Sequence, residues 1–218
     1  MPRPTPKSVV EILRGLDLEA SDEQCARLAA YLELLEKWNR KMNLVGPARW
    51  PEVLKRLVVD SIHLAAFLKD LDLPADPVTL DLGAGAGLPG IPLRMFWQAG
   101  QYWLVEVRQK RCGFMRTALG RLELPATHVF MGRAEDSPAH LEAEGYGHCA
   151  DLILSKAFMP WRKLLDFAVP LLSAEGVLVI LSNDPAPRDL PESWRLLGTV
   201  AYPVMGKNHH FWALSQSK

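Results

Sequence analysis

An acidic residue followed by closely spaced glycines marks the part of this chain able to bind a reactive small molecule. In Val78-Thr79-Leu80-Asp81-Leu82-Gly83-Ala84-Gly85-Ala86-Gly87-Leu88-Pro89-Gly90-Ile91-Pro92-Leu93, an apolar run ends near a carboxylate and passes into a glycine-rich turn. Glycine lets the main chain approach a ligand closely. A helix opening just beyond adds oriented N–H groups and a partial positive charge. The spacing D-x-G-x-G-x-G, from Asp81 through Gly83, Gly85 and Gly87, suits a ligand without a pyrophosphate, with an amino-acid end and a nucleoside end. S-adenosylmethionine is such a ligand. A dinucleotide fingerprint can also be aligned on Gly85, Gly87 and Gly90, but it places Pro89 inside the motif. A turn that binds nothing is the third reading.

Further along, Glu106 closes the apolar run Leu104-Val105, where a carboxylate can accept both hydroxyls of a ribose. A surface carboxylate at a strand end is the alternative. Gly132-Arg133-Ala134-Glu135-Asp136 falls where an adenine would lie, so the backbone at Ala134 and Glu135 could bond a base edge; an ordinary polar loop fits equally well. Asp81 is expected to orient the amino-acid end of the ligand, directly or through water. Cys25, Cys112 and Cys149 are scattered, with no C-x-x-C pair, which fits reduced thiols and argues against structural zinc. Neither Cys112 nor Cys149 has a neighbouring base motif, and His209-His210 matches no metal spacing. No metal site and no acid–base catalytic set are expected.

These residues need a scaffold. At 218 residues the chain has room for one α/β domain plus a helical segment, and 49% hydrophobic residues suffice for its core. Ser21-Asp22-Glu23-Gln24 reads as a capping box opening a helix to about Trp38, with Cys25, Leu28, Leu32 and Leu35 on one face. Asn43 and Gly46-Pro47 break the pattern, and a second helix covers roughly Pro51 to Leu68. From Val78, strands at Val78–Leu82, Tyr102–Val107, His128–Met131, Asp151–Leu154 and Val177–Leu181 alternate with helices near Ile91–Trp97, Gln109–Leu122 and Trp161–Leu172. Strands at Trp194–Tyr202 and His209–Leu214 close the chain. The fold expected is α/β, a Rossmann-like class I methyltransferase sheet, mostly parallel with a C-terminal antiparallel hairpin and preceded by N-terminal helices. Residues 1–70 form the helical segment and 71–218 the ligand-binding domain.

Net charge is zero, so affinity for nucleic acid has to come from local clusters. Lys37, Arg40, Lys41, Arg49, Lys55 and Arg56 surround the helical break; Arg108, Lys110, Arg111, Arg116 and Arg121 form a second run. Arg40, Lys41, Arg56, Lys110 and Arg111 are the candidate nucleic-acid contacts, against the alternative of solvated helix faces. Trp38 continues an apolar stripe and reads as core, and His63 as a packed or surface residue. Met1-Pro2-Arg3-Pro4-Thr5-Pro6 has no apolar leader pattern and no run is long enough to span a bilayer, so a cytoplasmic chain without membrane contact is expected.

The runs Leu35-Glu36-Lys37-Trp38-Asn39-Arg40-Lys41-Met42-Asn43-Leu44, Asp60-Ser61 and Asp81 to Leu93 together resemble the bacterial small-subunit rRNA guanine-N7 methyltransferases, the glucose-inhibited division protein B family. The likeness continues through Glu106, Lys110-Arg111, Phe114, Gly132-Arg133-Ala134-Glu135 and Ser155-Lys156-Ala157-Phe158, covering about residues 20 to 215. It implies N-terminal helices packed on a Rossmann-like domain. It also implies S-adenosylmethionine contacts at Gly83, Leu88, Ala134, Glu135 and Lys156, and as substrate a guanine of 16S rRNA in the small ribosomal subunit. A monomer is expected. Methylation at N7 requires no base, because N7 is a lone pair with no proton to lose. The chain departs from the family pattern at Lys156 (usually arginine), at Ser182-Asn183-Asp184 (where Lys-Gly is usual) and at Leu57 (usually histidine). Those departures bear on the substrate more than on the cofactor. An NAD(P)-dependent oxidoreductase and a non-catalytic RNA-binding relative are the alternatives.

Overall fold

The computed structural model describes residues 2–217. One sheet holds seven strands: β1 (Val78–Leu82), β2 (Gln101–Glu106), β3 (Thr127–Met131), β4 (Ala150–Lys156), β5 (Leu172–Ser182), β6 (Trp194–Val204) and β7 (Lys207–Gln216). Their order is β3-β2-β1-β4-β5-β7-β6. The first five pair in parallel, while β7 runs antiparallel to both β5 and β6. Strand order reverses between β1 and β4, which opens a crevice beyond their carboxyl ends.

Alternation along each strand divides the core. Leu80, Leu82, Trp103, Val105 and Ile153 face one apolar layer, with Leu164 and Leu165 of α8 (Trp161–Ala168). Tyr102, Leu104, Leu152 and Leu154 face the other, which is continuous with the N-terminal helices. Those helices are α1 (Pro6–Arg14), α2 (Asp22–Met42), α3 (Trp50–Val53) and α4 (Val59–Lys69). The Ser21–Gln24 capping box opens α2, which runs one turn past Trp38 to a left-handed cap at Asn43 (φ +48°). The Asn39 carboxamide secures the following loop, donating to the Val45 and Pro47 carbonyls and accepting from the Val45 N–H. This accounts physically for the W-N-x-x-x-N-L run.

Three expectations need correction. The helix expected at Ile91–Trp97 is a single turn, α5 (Gly90–Leu93). Arg94, wholly buried, draws the chain out of helix by donating to the carbonyls of Trp97, Gln98, Ala99, Gly100 and Pro125 and to Thr127 Oγ1. The polar loop after β3 is a 3-10 turn (Ala134–Asp136) leading into α7 (Ser137–Ala143). The second N-terminal helix contains a π turn, Leu54–Val58. Helix α6 (Gln109–Leu122) lies where its pattern places it.

Candidate functional site

The carboxyl ends of β1 to β4 each contribute one wall of a cavity of about 270 Å³ in the crevice. Its lining includes Gly83 after β1, Glu106 ending β2, Gly132 and Ala134 after β3, and Ala157-Phe158 after β4. Gly83 has φ +70°, and a Cβ there would stand 2.8 Å from Phe158 Cδ2. A side chain would push the aromatic ring into the space. Glu106 is 5% exposed and its carboxylate accepts from the N–H groups of Gly85 (3.2 Å) and Arg108 (2.9 Å). It also pairs with Arg111 Nη1 at 3.3 Å. Ala134 is buried against the cavity, whereas the Glu135 side chain points to Arg133 and solvent, so only its backbone is suited to a ligand.

Asp81 does not line the cavity. It is 1% exposed and held by the Tyr102 hydroxyl at 3.1 Å and the Gly90 backbone. A Cβ on Gly90 would come within 2.5 Å of Asp81 Oδ2. Gly90 is therefore a packing glycine under the loop, which removes the third member of the dinucleotide alignment from any ligand. Burial raises the Asp81 pKa to about 7, partly offset by Tyr102, Gly90 and Lys156. Leu88 is half-buried against the helical side of the core, and its N–H donates to the Ala84 carbonyl. The loop is tied to the N-terminal helices: Tyr31 of α2 donates to the Ala86 carbonyl (2.8 Å) and Ser61 of α4 to that of Pro89 (2.9 Å).

Lys156 lies in a second, smaller cavity of about 100 Å³ that meets the first at Ala157. Its ammonium donates to Asp60 Oδ2 at 2.5 Å. Asp60, 1% exposed, also accepts from the Tyr202 hydroxyl (2.9 Å) and bonds His209 Nδ1 (2.9 Å), both on Oδ1. His63 stacks on Tyr202, with centroids 4.1 Å apart. Sequence reading assigned no role to His209. Its partner lies 149 positions away, and only the fold-back of the terminal hairpin unites them. Ala157, shared by both cavities, holds φ +53°, a left-handed conformation that costs a non-glycine residue about 1 kcal/mol or more.

The expected RNA contacts divide. Arg40, Lys41, Arg56 and Lys110 are exposed, but Arg111 turns inward to Glu106 and lines the larger of the two cavities. Arg121 is engaged by Glu33 at 2.7 Å. Trp38 packs edge-on to Phe114 at 5.7 Å, as core. Cys112 is buried and donates to the Glu106 carbonyl; burial and Glu106 push its thiol up, away from nucleophilic use. All three cysteines are free, and the described residues contain no metal-binding cluster and no helix long and apolar enough to cross a membrane.

The family model for rRNA small subunit methyltransferase G matches residues 24–195. The chain belongs to that family. Its similarity to the curated ribosomal RNA small subunit methyltransferase G of Nitratidesulfovibrio vulgaris is 49% identity over 208 residues, covering 95% of this chain and 93% of that one. The Lawsonia intracellularis relative is 43% identical over 202 residues, covering 93% and 91%. Among solved structures, an O-methyltransferase from Bacillus cereus in complex with SAH superimposes with a TM-score of 0.62 at 15% identity, covering 96% and 97%. At that identity the likeness speaks for the fold, a class I methyltransferase sheet. The family membership carries the enzyme class, a methyltransferase using S-adenosylmethionine.

Proposed function

We propose that this protein transfers a methyl group from S-adenosylmethionine to N7 of a guanine in 16S rRNA, acting as a monomer in the cytoplasm on the small ribosomal subunit. The observation that carries the reading is the cavity at the carboxyl ends of β1 to β4, with the Gly83 cradle, the buried Glu106 carboxylate and the Ala134 wall together. The residues present fit the methyl donor: space kept clear at Gly83, an acceptor for ribose hydroxyls at Glu106, and an apolar wall with backbone groups at Ala134 and Glu135 for adenine. Gly85 and Leu88 belong to the supporting loop. Bound there, S-adenosylmethionine supplies a methyl carbon made electrophilic by its sulfonium.

The protein's own part is positioning. N7 carries a lone pair, so no residue has to remove a proton from it, and holding donor and acceptor in line contributes several kcal/mol. Arg40, Lys41, Arg56 and Lys110 supply phosphate contacts, and access to the base requires it to leave its stack. The test is transfer of label from tritiated S-adenosylmethionine to small subunits from cells lacking the gene, with the nucleoside identified by mass spectrometry. Labelled N7-methylguanosine is expected. A different methylated nucleoside, or none, would overturn the reading.

A further inference from the structure

The cavity of about 100 Å³ beside the one at Gly83 has a donor and an acceptor set side by side. Asp60 fixes both. Its Oδ2 takes a hydrogen bond from the Lys156 ammonium and its Oδ1 bonds His209 Nδ1. A carboxylate only accepts, so Nδ1 carries the hydrogen, and in the neutral ring Nε2 is left as an acceptor. Lys156 has two N–H groups beyond the one on Asp60. The Tyr202 hydroxyl completes the anchor on Oδ1 and is stacked by His63, so the carboxylate sits 1% exposed with three donors from three different strands. A base oriented by a buried third group is an arrangement built to present one ring nitrogen in one direction.

A lysine donor next to a histidine acceptor is complementary to one purine edge. Guanine offers O6, an acceptor, beside N1–H, a donor. Adenine offers the reverse, an amino group beside a lone pair. We propose that Lys156 and His209, both positioned by Asp60, read the O6/N1–H edge of the target guanine and leave N7 free to face the cavity at Gly83. The inference rests on the methyltransferase reading above and names how that site selects its base. It gives Lys156 to the substrate rather than to the cofactor. Ser182, Asn183 and His210, which also line the cavity, add further polar groups around the base. Asp60 is a positioning residue; Lys156 and His209 touch the substrate.

The test needs no turnover. With S-adenosylhomocysteine saturating, guanosine, inosine and adenosine monophosphates are titrated into the parent protein and into His209→Leu, His209→Gln and Asp60→Asn, each checked for folding by thermal unfolding. Inosine keeps O6 and N1–H but lacks the guanine amino group. The parent should prefer guanosine and inosine monophosphates to adenosine monophosphate by about tenfold, the scale of one paired base edge. His209→Leu should bring that ratio close to one, and His209→Gln, whose side-chain oxygen can accept, should restore part of it. An unchanged ratio in His209→Leu overturns the proposal. So does loss of S-adenosylhomocysteine affinity in that variant, which would assign the cavity to the cofactor. A parent that forms N7-methylguanosine on small subunits yet binds the three nucleotides equally overturns the edge-reading pair and leaves the activity standing.

Discussion

A carboxylate sealed under a glycine-rich loop leaves a signature in stability. Asp81 has a folded pKa near 7, against an ordinary unfolded value of about 4. The folded chain binds that proton more tightly, so the stability it contributes is complete below about pH 4 and is lost as pH rises through about 7. Denaturant unfolding at pH 5 and pH 8 should show the parent losing on the order of 2–3 kcal/mol through this group. Asp81→Asn, neutral throughout, should lose correspondingly less, and an equal slope in both proteins would place the titrating group elsewhere. At Arg94 five carbonyls and a hydroxyl depend on one buried guanidinium that forms no ion pair among the described residues. Arg94→Met leaves those acceptors unmatched and should cost roughly 3–5 kcal/mol in the same assay. Gly83→Val forces a branched residue into φ +70° and against Phe158. It should weaken S-adenosylhomocysteine binding by more than tenfold in calorimetry while the unfolding curve remains cooperative.

Among the elements, the loop after β1 is held from outside the sheet. Tyr31 and Ser61 come from α2 and α4, so the N-terminal helices help set the shape of the glycine-rich loop as well as covering a face. Ser61→Ala should cost about 1 kcal/mol of stability and raise the KM for S-adenosylmethionine more than that for RNA. Steady-state kinetics with each substrate varied in turn checks this, and an increase confined to the RNA KM would contradict it. Strands and the longer helices were legible because their periods are strong: β1 and α6 fall within the bounds the pattern gives. What was hidden depended on distant partners. The shortness of α5 follows from Arg94 reaching Pro125 and Thr127, and the π turn before Asp60 has no local marker in the sequence. Glu106 and Ala134 could be placed at the cavity from their positions at strand ends. The inward turn of Arg111 could not, because a cation in the first turn of a helix can face either solvent or the preceding strand end. Nor could the grouping of Asp60, Lys156, Tyr202 and His209, because it joins a helix to strands 96 to 149 positions away.

At the scale of the whole molecule, a chain of zero net charge has no global attraction for a polyanion, so the proposed RNA contacts fall on local groups of exposed cations, the largest of them near the helical break. Replacing Lys37, Arg40 and Lys41 with alanine should weaken binding to small-subunit RNA across salt concentrations. The slope of log K against log salt should become shallower by about 2, at roughly 0.7–0.9 for each phosphate no longer neutralised. S-adenosylhomocysteine affinity should stay at the parent value. Reversing Arg111 together with Lys110 would confound the two functions, since Arg111→Glu would set a second carboxylate against Glu106. The most direct measurement is a calorimetric titration of the parent with S-adenosylhomocysteine beside NADH. Saturable one-to-one binding of the first, abolished by Gly83→Val, with no heat from the second, is the expected result; saturable binding of NADH, or of neither, would contradict a methyl-donor cavity at the ends of β1 to β4.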